Sequence, residues 1–216
     1  MIRLHHAPGT AAMVPHILLE EIGVSYERVS VDRLANGHKT PQYLRLNPNG
    51  LIPVLTDGVL VLYETAAITL HLCDTHPESA LAPALGSGER AHFYKWLMWL
   101  TNTLQAALKI YFYPERWVSQ GNVAGAAELK TNAEGQIGAM LDQLDTELAR
   151  HGGHWFTGAQ YSGLDAYVFT LCRWTRNFAS APARDRAHLG PYLQRMLGRA
   201  AVQRVIVNEG LLPPLV

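Results

Sequence analysis

Apolar residues recur at helical spacing between Ala11 and Ile22, with Met13, Val14, Ile17, Leu18 and Ile22 falling on one face. Gly23 stops that run, as glycine commonly does just past a helix. Pro15 lacks a backbone donor, so it is tolerable only in or near the first turn. Before the helix, residues 2–6 read as a short strand and Ala7-Pro8-Gly9-Thr10 as a turn. Residues 26–31 alternate like a strand. A loop with Asn36, Gly37, His38 and Lys39 follows, then a short helix over 41–46. Residues 51–56 and 59–62 form a hairpin around Asp57-Gly58, a strong turn signal. Residues 64–75 are helical and end near Pro77. The order strand, helix, strand, helix, hairpin, helix predicts a mixed α/β layer. Ala82-Pro83-Ala84-Leu85-Gly86-Ser87-Gly88 reads as a linker. Beyond it the pattern is helical over 89–112, about 122–149, 164–178 and 191–203. The expected organisation is an α/β unit over 1–80, a linker over 81–88 and an all-helical unit over 89–216.

Composition narrows the picture. The chain has 216 residues, 48% apolar and 17% charged, which reads as globular and not as disordered. Eighteen basic residues balance eighteen acidic ones, so nothing marks a nucleic-acid partner. No apolar run approaches the roughly 18 residues of a membrane span. The opening residues lack the apolar core of a secretory signal. A cytoplasmic protein without a membrane partner is expected. Cys73 and Cys172 lie in apolar, helix-like surroundings without a Cys-x-x-Cys pair, and read as buried free thiols. Ten histidines offer no zinc-site spacing, so no metal is expected. His5 and His6 are adjacent and would point to opposite faces of a strand. Ser162-Gly-Leu-Asp165 reads as a capping box opening a helix, a structural device.

The candidate chemistry concentrates in Asn47-Pro-Asn-Gly-Leu-Ile-Pro-Val-Leu55, followed by Glu64-Thr65 at a helix start. Pro53 cannot donate to a sheet ladder, but it can open a strand. A cis bond before it would turn the backbone groups of Ile52 outward, free to pair with an extended peptide-like ligand. At Glu64-Thr65 the unpaired N–H groups and the positive end of the helix dipole suit a small carboxylate.

This combination resembles the cytosolic glutathione S-transferase family, on Asn47-Pro48, Gly50, Ile52-Pro53-Val54-Leu55 and Tyr63-Glu64-Thr65-Ala66. The resemblance extends over nearly the whole chain. It implies a thioredoxin-like α/β N-terminal domain followed by an all-α C-terminal domain, a homodimer, and glutathione as co-substrate. On this resemblance Glu64 pairs with the γ-glutamyl ammonium and Thr65 with its carboxylate. Ile52, set by Pro53, pairs ladder-fashion with the cysteinyl unit, and Lys39 and His38 reach the glycyl carboxylate. Asn49 lines the same edge. The helical half then walls a pocket for an apolar electrophile, with Tyr111, Tyr113, Arg116 and Trp117 as candidates.

The loop His6-Ala7-Pro8-Gly9-Thr10-Ala11-Ala12 is most similar to the bacterial beta-class pattern Pro-Gly-Ala-Cys-Ser, but it lacks the cysteine, which would fall on Ala11. The beta-class His-Lys pair expected near Gln105-Ala106 is also missing. The nucleophile in this chemistry is a thiolate. Three sources of its stabilisation stay open: the Thr10 hydroxyl, the His6 imidazole, or backbone N–H groups with Thr10 serving only as a cap. The implied activity is conjugation of glutathione to apolar electrophiles. The alternative is a glutathione-binding protein of the same fold with weak or no transferase activity.

Overall fold

The computed structural model describes residues 1–152 and 154–216. The elements are β1 (Ile2–His6), α1 (Met13–Ile22), β2 (Tyr26–Ser30), α2 (Pro41–Leu44), β3 (Val54–Asp57), β4 (Leu60–Tyr63) and α3 (Thr65–Thr75), then α4 (Gly88–Trp99), α5 (Gln105–Phe112), α6 (Val123–Arg150), α7 (Gly163–Trp174), α8 (Leu189–Leu197) and α9 (Ala200–Asn208). They form two compact units. Met1–Pro83 joins Met196–Pro213, and Ala84–Arg195 joins Pro214–Val216.

In the first unit the described residues build a four-stranded sheet of order β2-β1-β3-β4. β1 runs parallel to β2 and antiparallel to β3, and β3 pairs antiparallel with β4. The register sets His5 opposite Val54, and Val54 opposite Tyr63. The end of β1, the start of β3 and the end of β4 therefore meet at one end of the sheet. Strand alternation divides the side chains of β1. Leu4 and His6 are buried, while His5 lies on the opposite face, its ring 6.3 Å from that of Tyr43. Val31, Tyr43 and Val54 form a core on that opposite face. Ile17 and Leu18 of α1 and Ile68 and Leu72 of α3 are fully buried. Each such side chain removed from water contributes about 1.5–3 kcal/mol.

Several boundaries differ from the sequence expectation; α7, for instance, ends at Trp174 and not at 178, and β3 begins at Val54 and not at 51. α1 begins at Met13, because residues 10–12 form a separate turn; Pro15 becomes its third residue, where no intrahelical donor is needed. The helical stretch 89–112 is interrupted by a π-helical turn over Leu100–Leu104. The single helix expected over 191–203 is two helices, since the backbone turns extended at Arg199. The second of these, α9, packs on α1 and belongs to the first unit, so the helical unit does not run unbroken to 216. Ala201, Val202 and Val205 bury its inner face. Arg199 grips Glu21 with two bonds of 2.6 and 2.9 Å, and Arg204 pairs with Glu20.

In the second unit the capping box at the head of α7 is formed. Asp165 is fully buried and accepts from the Phe156 and Ser162 N–H groups, both at 2.8 Å, and from the Tyr192 hydroxyl at 3.0 Å. Burial nevertheless raises its carboxyl to about 6, against the pull of those bonds. With every lone pair engaged inside the core, it is a structural group. Both cysteines are buried, and burial pushes the Cys172 thiol up to about 12.

Candidate functional site

The sheet end is furnished by three segments. The first is the turn before β3. Asn47, almost fully buried, donates to the Leu51 carbonyl at 2.9 Å and accepts the Asn49 N–H at 3.1 Å. Tyr43 donates to the same carbonyl at 2.9 Å. Those bonds fix Leu51, and the Ile52–Pro53 bond that follows is cis. Ile52 N–H and C=O then find no partner among the described residues, and Ile52 is only half-buried. An exposed donor–acceptor pair beside a strand start is what strand addition by an extended ligand requires.

The second segment heads α3. Glu64 adopts φ 73°, ψ 115°, a conformation rare outside glycine that costs about 1–3 kcal/mol. Its carboxylate is exposed and has no partner among the described residues. Thr65 opens the helix, and its N–H and that of Ala66 are first-turn donors with no intrahelical acceptor. An acceptor for an ammonium thus lies beside donors for a carboxylate, the pairing that an α-amino acid head presents.

The third segment is the loop from β1 to α1. Gly9 takes φ 67°, which spares a side chain the left-handed penalty. The Thr10 hydroxyl donates to the Ala7 carbonyl at 2.7 Å and accepts the Ala12 N–H at 3.3 Å. Its proton is therefore directed into the loop. Ala11 N–H has no partner among the described residues and stands at the head of α1. His6 lies buried on the α1 face of the sheet, its ring 5.8 Å from that of His16. Burial holds its imidazole below the ordinary range, although Glu209 pulls the other way.

His38 and Lys39 form a short turn against this end. Lys39 is exposed, and its ammonium reaches the Asn49 carbonyl at 3.4 Å. Gly50, at φ 59°, faces them; a Cβ there would lie 2.8 Å from Lys39 Nζ and 2.9 Å from the His38 carbonyl. Asn49 is exposed at the same turn.

The four candidates in the helical unit separate into two kinds. Tyr111 is buried in the last turn of α5, its ring 4.2 Å from Phe178. Named as a candidate for the pocket wall, it packs in the core instead. Arg116 stacks over Tyr113 at 4.2 Å and is largely exposed, as is Trp117. Gln105, where the beta-class histidine is absent, accepts from the Tyr167 hydroxyl inside the unit.

Sequence reasoning passed over Tyr43, His16 and Glu209, and gave Asn47 no role of its own. A polar residue before Pro48 was the signal for Asn47. Glu209 and His16 gave none, because their partners lie 193 and 200 residues away.

Comparison with known proteins identifies the family. Residues 1–74 match the glutathione S-transferase N-terminal domain and residues 122–195 the C-terminal domain. The chain is 30% identical to glutathione S-transferase GstA of Escherichia coli O157:H7, over 97% of this chain and all of that one. It is 29% identical to glutathione S-transferase GST-4.5 of Xanthomonas campestris pv. campestris, with the same coverage. A sphingomonad glutathione S-transferase solved in complex with glutathione superposes with a TM-score of 0.82 at 31% identity, over 97% of this chain and 100% of that one. The chain belongs to the glutathione S-transferase family, and its thioredoxin-like first unit and helical second unit are that family's fold. It is a glutathione-using transferase.

Proposed function

We propose that the protein conjugates glutathione to apolar electrophiles, with the tripeptide laid along the sheet end formed by Ile52, Glu64 and Thr65. The observation that carries this is the set of uncommitted groups there. The Ile52 N–H and C=O, the Glu64 carboxylate and the first N–H groups of α3 match the cysteinyl backbone, ammonium and carboxylate of a γ-glutamyl peptide. Lys39 is placed to take the glycyl carboxylate, with His38 and Asn49 shaping that edge.

The thiol is activated by the head of α1. The Ala11 N–H and the helix dipole stabilise the thiolate, and together they lower its pKa from the ordinary ~8.5. Thr10 braces the loop with both faces of its hydroxyl and leaves no proton for sulfur. His6 is enclosed and stays neutral. Tyr113, Arg116 and Trp117 are the side chains offered to the electrophile: two aromatic faces and one cation able to orient an anionic substituent. A two-fold homodimer working in the cytoplasm completes the reading.

Calorimetry with glutathione, followed by turnover of a chlorodinitrobenzene, tests it. Association at sub-millimolar concentration with turnover above the uncatalysed rate is expected. Absence of heat at millimolar glutathione overturns the assignment of the sheet end. Binding without turnover would instead identify a glutathione-binding protein.

A further inference from the structure

The loop that carries Thr10 and Ala11 is held from below by a carboxylate at the far end of the chain. Glu209 closes α9, its N–H bonded to Val205 at 2.9 Å. Its side chain is fully buried. One oxygen accepts the Gly9 N–H at 2.8 Å, and the other meets His16 Nδ1 at 2.7 Å, also fully buried. One residue thus ties the turn before α1 to the first turns of α1 itself. His6 Nδ1 and His16 Nε2, buried on the same face, have no hydrogen-bond partner among the described residues. Other ties hold α9 to other segments: Arg199 with Glu21, Arg204 with Glu20, and Arg28 with the Asn208 carbonyl.

We infer that Glu209 is a positioning residue for thiol activation: by holding the Gly9 N–H it fixes the Gly9 turn and aims the Ala11 N–H at the sulfur. The inference rests on the proposed glutathione site. Glu209 touches neither the peptide's head nor its glycyl end, which Glu64, Thr65, Ile52 and Lys39 serve. Its loss therefore acts on the chemical step and not on affinity. A buried carboxylate engaged on both oxygens is a costly choice for mere packing, since an apolar residue would fill the same volume without desolvating a charge. Its geometry is specific to two donors on the segment that meets the sulfur.

The experiment compares wild type, Glu209→Ala, Glu209→Gln and Glu209→Asp, with Arg199→Ala as a control that loosens α9 elsewhere. Glutathione affinity is read by calorimetry, the bound thiol's pKa by ultraviolet thiolate absorbance, and kcat with a chlorodinitrobenzene. Misplacement of a reacting group by about 1 Å costs up to about a hundred-fold in rate. Glu209→Ala and Glu209→Asp are expected to lower kcat by ten-fold or more and to raise the thiol pKa, with affinity within about three-fold of wild type. Glu209→Gln keeps an acceptor for Gly9 and a donor for the other His16 tautomer, and is expected to rescue both readouts. If the alanine variant does not fold, the aspartate variant decides. Two outcomes overturn the inference while the glutathione site survives: unchanged kcat and pKa in the aspartate variant, or equal losses in Arg199→Ala. A wild type that fails to bind glutathione sinks the site itself, and the inference with it.

Discussion

Replacing Thr10 with alanine separates two routes to the thiolate. A hydroxyl donating to a charged sulfur is worth about 1.5–3 kcal/mol. At 1.36 kcal/mol per unit, its removal would raise the bound thiol's pKa by about 1–2 units. The Thr10 proton lies instead on the Ala7 carbonyl at 2.7 Å, and its lone pair receives the Ala12 N–H at 3.3 Å. What alanine removes is a brace at the start of α1, worth about 1 kcal/mol. For a chain of this length that corresponds to a Tm lower by about 2–4 °C. The expected result is a modest loss of thermal stability and a thiol pKa within about 0.3 unit of wild type. Serine should restore the stability. The assay is a pH titration of thiolate absorbance in the glutathione complex, beside a melting curve. A rise of one unit or more would refute the assignment of Thr10 as a brace and make its hydroxyl the sulfur donor.

The other predictions follow from the same geometry. Glu64→Gln keeps the side-chain shape but removes the charge that faces the ammonium, so glutathione affinity should fall about ten- to hundred-fold, in line with the 1.5–3 kcal/mol of charged hydrogen bonds; calorimetry measures it. Gly50→Ala forces a Cβ onto Lys39 and the His38 carbonyl at a left-handed backbone. It should weaken glutathione binding and lower the Tm, and an unchanged affinity would show that the 38–50 edge does not meet the ligand. Asp165→Asn sets an amide donor against the Ser162 or Phe156 N–H and should destabilise the protein by about 1–3 kcal/mol, read by denaturant unfolding. The folded protein holds the Asp165 proton up to about pH 6, whereas the unfolded chain releases it near the ordinary aspartate value. Wild type therefore gains stability from this group as pH falls from about 7 to 5, and its advantage over Asp165→Asn should widen in that range.

The parts of the site written in neighbouring residues were legible in the sequence. Pro53 inside an apolar run, Glu64-Thr65 at a helix start and the Asp57-Gly58 turn each announce local backbone geometry. Short spacing then brings them to one sheet end through the hairpin. Thr10 was ambiguous for a physical reason: a hydroxyl in a turn serves equally as cap or donor until its proton's acceptor is known. Tyr111 was named for the pocket, but which face of the expected helix over 89–112 meets the core depends on distant packing: its ring turns onto Phe178, 67 residues later. The break at Arg199 and the return of α9 to the first unit left no local mark. The grip of Glu209 on Gly9 was invisible because no periodicity connects residues so far apart.

That long reach bears on how the protein is made. At about 5–20 residues per second, roughly ten to forty seconds separate Gly9 from Glu209 on the ribosome. Through that interval the strands and first helices emerge without the Glu209 bond to the Gly9 N–H, and α9 has yet to pack on α1. Competence for chemistry is thus deferred until α9 has been translated in full, and a nascent fragment carrying the peptide-gripping residues would still lack the brace beneath its reactive end.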